Sequence, residues 1–104
     1  ITTPFKPKNI KIYAVVQDDK RFCIGEYSEN GTQFCLLYNA YETTLVKQSS
    51  IRSIWLRGDA GNHCQGVISA VVDDGFEITW EKDGSPTGTA TLLITCSTHG
   101  TEVA

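Results

Sequence analysis

The stretch NHCQGVISAVVDDGFEITW, residues 62–80, limits what this chain can fold into more than any other. As a strand, 66–72 puts Gly66, Ile68, Ala70 and Val72 on one face and Val67, Ser69 and Val71 on the other. Neither face is polar, so such a strand needs cover on both sides and leads to an all-β sandwich. As a helix, Cys64, Val67, Ile68, Val71 and Val72 fall at i, i+3, i+4, i+7 and i+8, a complete apolar stripe, with Gln65, Ser69, Asp73 and Asp74 away from it. Asn62 and Gln65 have capping-box spacing, and Gly75 stands where a left-handed C-cap belongs. Gly66, the β-branched residues and the two terminal aspartates argue against a helix. Period and caps outweigh them, and the spacing predicts a helix over 63–73.

Around this stretch the chain reads as strands. IKIYAVV (10–16), RFCIGEYS (21–28), TQFCLLYN (32–39), FEITWEK (76–82) and TATLLITC (89–96) are rich in β-branched and aromatic residues and bounded by turn residues. Asn30-Gly31 between the second and third runs is a strong hairpin signal, and pairing about it sets Cys23 opposite Tyr38. TTLVKQSSIRSIWLRG (43–58) reads as one long or broken strand, and DGSPTG (83–88) as a turn cluster. The start, ITTPFKPKN, reads as an extended arm or edge segment. With one helix between the middle and last strands, the order is mainly β and fits an OB-type barrel of five to six strands, a single domain over 1–104.

Composition narrows the function. A formal charge of −3 and scattered Lys and Arg speak against nucleic acid and against a polybasic membrane patch. No apolar run reaches the ~18 residues of a transmembrane helix. Four cysteines in so small a domain point to two disulfides and an oxidising compartment, whereas a metal site needs closer pairs. The absence of Met fits a processed start, which a removed signal peptide explains, and with the cysteines it leads to the expectation of a periplasmic, secreted or extracellular protein. Local geometry leaves the three possible cysteine connectivities open.

Several motifs have ordinary explanations. Arg57-Gly58-Asp59 spells the integrin tripeptide, but an aspartate near a helix N-terminus is also favoured by the dipole. Asn30-Gly31-Thr32 is a glycosylation sequon and equally a turn. His63 and Glu26 as acid–base groups with Arg52 as the cation would suit a small secreted ribonuclease, yet nothing in their spacing selects them, and His99 sits in the tail. Neither an enzyme nor a cofactor or metal is expected. Trp55 and Trp80 read as core or interface residues. The tip Tyr27-Ser28-Glu29-Asn30-Gly31-Thr32 carries the aromatic, hydroxyl and amide groups that bind sugars, as many hairpin tips do.

RFCIGEYSENGTQFCL followed by CQGVISAVVDDGFEITWEKDGSPTGTATLLITC resembles the B subunits of the pertussis toxin family, which includes those of subtilase cytotoxin and typhoid toxin. The resemblance rests on Phe22-Cys23-Ile24, a hairpin with Cys35 on its return strand, a helix, and a last strand ending in Ile94-Thr95-Cys96. It implies a non-catalytic glycan-binding subunit secreted via the periplasm, a homopentamer that carries a separate catalytic A subunit. It implies the disulfides Cys23–Cys35 and Cys64–Cys96, although Cys64 departs from the family pattern. It places a pocket for host glycans, sialylated ones included, around Tyr27, Ser28, Asn30 and Thr32 with Thr2 and Thr3, and lines the ring's pore with Gln65, Ser69 and Asp73. The alternative is a secreted, disulfide-stapled β-sandwich acting by protein–protein contacts, which a strand at 63–73 would favour.

Overall fold

The computed structural model describes residues 1–16, 21–39, 45–57, 63–84 and 90–98, with backbone alone for 39, 45–48 and 57. The chain is mainly β, as expected, with eight strands among the described residues: β1 (Asn9–Val16), β2 (Arg21–Ser28), β3 (Gln33–Asn39), β4 (Leu45–Ser49), β5 (Ile54–Arg57), β6 (His63–Val72), β7 (Gly75–Asp83) and β8 (Ala90–Ser97). They form two antiparallel sheets, β4-β3-β2-β1-β8 and β5-β6-β7. Neither closes into the expected barrel. The run 43–58 breaks after β4, and the chain crosses there from the larger sheet to the smaller.

The predicted helix over 63–73 is a strand, and a β-bulge explains the misleading period. Ile68 pairs with Ile78 and the next paired residue is Ala70, opposite Glu77, so Ser69 is the extra residue of the bulge. Ile68 lies in the core and Val71 packs against it. The bulge changes the core-facing spacing from two to three, which in sequence looks like a helical turn. Val72 pairs with Gly75, so Asp73 and Asp74 form a two-residue hairpin turn instead of a helix end. Asn62 lies outside the described residues.

The core lies between the sheets. Ile10, Ile12, Ala14 and Val16 of β1, Cys23 and Cys35 meet Ile54 and Leu56 of β5, Ile68 and Phe76. The close approach needs Gly25, because a Cβ there would lie 1.6 Å from the Ser53 carbonyl oxygen. Gln33 ties the layers together. Its Oε1 accepts from the Ser53 hydroxyl (2.8 Å) and the Ile68 N–H (2.9 Å), and its Nε2 donates to the Ile68 carbonyl (2.8 Å). The side-chain amide thus supplies the ladder partners of Ile68 where β5 stops, since β5 reaches β6 only as far as Gly66.

The N-terminal arm does form an edge. Thr2 bridges Gly75, the Thr3 N–H donates to the Asp74 carbonyl (2.8 Å), and the Phe76 N–H donates to Ile1 (3.0 Å).

Candidate functional site

The outer face of the five-stranded sheet, turned away from the core, carries six large apolar side chains, exposed from 41% (Val15) to 64% (Leu93): Tyr13, Val15, Phe22, Ile24, Leu36 and Leu93. Pairing aligns them in rows. Leu36, Ile24, Tyr13 and Leu93 run straight across β3, β2, β1 and β8. Tyr38, Phe22, Val15 and Thr91 form the row on one side, with the Phe22 and Tyr38 rings stacked at 5.1 Å. Phe34, Glu26, Lys11 and Thr95 form the row on the other. Shallow hollows of about 300 and 260 Å³ flank Tyr13 and Ile24. With each exposed side chain contributing on the order of 50–100 Å², the patch approaches 500 Å², the upper range for a soluble monomer.

This face was missed in the sequence, although a signal for it is present. In IKIYAVV both parities are apolar after Lys11: Ala14 and Val16 face the core while Tyr13 and Val15 face out. FCIG repeats the pattern with Phe22 and Ile24 outside Cys23.

A second concave surface lies where the N-terminal arm, the β2–β3 hairpin and the β6 bulge meet. Lys6, Pro7, Lys8, Tyr27, Glu29, Ser69, Ala70 and Val71 line a cleft of about 430 Å³. Lys8 Nζ approaches Glu29 Oε2 at 3.9 Å, an exposed pair. Of the expected glycan residues, the cleft includes Tyr27 alone. Ser28 is buried, and its hydroxyl donates to Asn30 Oδ1. Asn30 Oδ1 also accepts the Thr32 N–H at 2.9 Å, so it stabilises the turn. Thr3 Oγ1 donates to the Phe5 carbonyl, and Thr2 pairs with β7. The arm does reach the hairpin, but through Lys6 and Lys8.

The residues expected to line a pore do not share a helix face. Gln65 Nε2 donates to Asp83 Oδ2 (3.2 Å), the Thr79 hydroxyl donates to Ser69 Oγ (2.8 Å), and Asp73 is in the hairpin turn.

All four cysteines are free thiols, so neither expected disulfide is formed. Cys23 pairs with Leu37 and Cys35 with Gly25, diagonal positions where Cα atoms sit ~7–8 Å apart, beyond the ~5.5–6 Å a disulfide prefers. The two thiols are buried and hydrogen-bonded to one another. That bond, with the Trp55 N–H at 3.3 Å, holds Cys23 below the usual thiol range against its burial. The same bond and burial push Cys35 far above it. Cys64 and Cys96 lie on different sheets, and burial raises both.

The acid–base set is not assembled. His63 Nδ1 accepts from Trp55 Nε1 (3.2 Å) and Arg52 lies 4.8 Å over the Trp55 ring, all on the smaller sheet's side. Glu26 lies on the larger sheet and accepts from Asn9 Nδ2 (2.7 Å). Trp55 packs against the core, and Trp80 is exposed. His99, Gly58 and Asp59 lie outside the described residues, and among those described no group of His, Cys, Asp and Glu could hold a metal ion. No described helix is long and apolar enough to cross a membrane. Comparison with known proteins gives no match, whether with family models, curated proteins or solved structures.

Proposed function

We propose that this chain is a non-catalytic binding module that acts through protein contacts on the outer face of its five-stranded sheet. The observation that carries this reading is the row Leu36–Ile24–Tyr13–Leu93, apolar across four strands and open to solvent. An antiparallel sheet with one solvated face normally alternates apolar-in with polar-out. An apolar patch at the upper end of what a soluble monomer exposes marks a contact surface. The strand at 63–72 and the two-sheet build also belong to the sandwich alternative. Hydroxyl-radical footprinting tests the proposal. Tyr13, Phe22, Ile24, Leu36 and Leu93 should be protected in the protein's native surroundings and reactive after dilution to nanomolar concentration. Equal reactivity in both settings would count against it.

One observation favours a second reading, a glycan-binding toxin subunit. The cleft joins Tyr27 and Ser69 to Lys6 and to the Lys8–Glu29 pair, the mixture of an aromatic ring, a hydroxyl and charged groups that suits a sugar. The pentameric ring and the catalytic A subunit have no comparable support, because the helix that would line the pore is a strand. Titration with a sialylated oligosaccharide should shift the NMR signals of Tyr27 and Ser69. Unmoved signals at millimolar sugar would remove this reading.

A further inference from the structure

We infer that the outer face of the five-stranded sheet is covered by the same face of a second copy of this chain, about a two-fold axis that runs along the strands between β1 and β2. The inference rests on the protein-contact reading above and names its partner.

Self-complementarity argues for it. Rotation about such an axis lays β1 of one copy over β2 of the other and β8 over β3. Tyr13 then meets Ile24, Leu93 meets Leu36, and Val15 meets Phe22, each pair occurring twice, because these residues are register partners or share a row. The third row supplies charge matching. Lys11 and Glu26 are cross-strand neighbours on either side of the axis, so each Lys11 faces the other copy's Glu26. An isologous interface requires this kind of reciprocal match, and an unrelated partner does not. Lys11 is exposed and Glu26 half-buried, so the pair sits at the edge of the apolar rows, where a polar rim belongs.

The size also fits. A standard interface buries ~800 Å² per partner, and a homodimer interface is ~65% apolar, which asks for roughly 500 Å² of apolar surface on each side. The patch supplies about that amount. Two sheets packed face to face stand ~10 Å apart, within reach of interdigitating Tyr, Phe and Leu side chains.

The test is the native mass by light scattering at ~100 µM, where even a weak dimer forms, with charge reversals. Wild type should show twice the protomer mass. Lys11→Glu alone and Glu26→Lys alone should each weaken association about tenfold or more, because like charges meet across the axis. An equimolar mixture of the two variants should restore the dimer, since each negative pair then meets a positive pair. The intrachain environment of each variant is the same alone and mixed, so the recovery reports contact between copies. Leu93→Lys, at the most exposed position of the row, should give a folded monomer and guards against a reversal variant that misfolds. A monomeric wild type, or a mixture no better than its components, overturns the inference. If the wild type is monomeric and the footprint is still protected in native surroundings, the contact face stands and its partner is another protein. If the face is never protected, both readings fall.

Discussion

Gln33 shows how much one side chain can hold. Its amide satisfies the Ser53 hydroxyl and both backbone groups of Ile68, linking β3, the approach to β5 and the bulged part of β6. Gln33→Ala leaves these groups unpaired in a half-buried site, so urea unfolding should show a loss of about 2–3 kcal/mol. A loss under ~0.5 kcal/mol would mean that water replaces the amide without cost. The buried thiols make a second prediction. An unfolded chain releases thiol protons near pH ~8.5, while Cys35, Cys64 and Cys96 are all shifted upward in the fold and keep theirs. Above that pH the folded state binds more protons, so stability falls as pH rises, with Cys23 working in the opposite sense. Unfolding midpoints at pH 7 and 9.5 should show the decline, and the Cys64→Ala, Cys96→Ala double variant, which removes two upward shifts and no opposed one, should show less of it.

At the scale of elements, one residue decides much. The β2–β3 turn is a three-residue loop, Glu29-Asn30-Gly31, in which the Ser28 N–H donates to the Thr32 carbonyl (3.0 Å) and Gly31 takes φ 88°. That is the type I turn with a left-handed glycine bulge, not the two-residue turn that Asn-Gly suggests. The difference moves Cys23 from opposite Tyr38 to opposite Leu37 and brings both cysteines to the core face. Existence of the hairpin was legible in the sequence; its register depends on the backbone of one glycine. The strands of β1, β2 and β3 were legible for the same reason, a dense run of β-branched and aromatic residues between turns. For β6, a bulge imitates a helical period, and only pairing with β7 resolves the two. This gives a test. Deletion of Ser69 makes the β6–β7 pairing regular and should cost no more than about 1–2 kcal/mol, whereas deletion of Val67 turns the residues before it to the wrong face and should prevent folding. Thermal unfolding of the two deletions separates the accounts. Equal damage from both would mean that Ser69 is not the bulge.

On the scale of the whole molecule, β3, β2, β1 and β8 carry apolar side chains on both faces of the five-stranded sheet, and only one face is covered by the smaller sheet. That explains why the site was the least legible part of the sequence. Tyr13, Val15, Phe22 and Ile24 read as core residues by composition, and only the placement of β5-β6-β7 on the opposite face shows them as surface. Core and contact surface differ in what a charge does to them. The measurement we would place first is denaturant unfolding, at low micromolar concentration, of the Ile24→Lys, Leu93→Lys double variant beside Ile12→Ala. The double variant should stay within about 1 kcal/mol of wild type, while Ile12→Ala, wholly buried, should lose about 2–5 kcal/mol. A double variant that unfolds, or loses as much as Ile12→Ala, would show that the outer face is part of the folding core and would contradict its role as a binding surface.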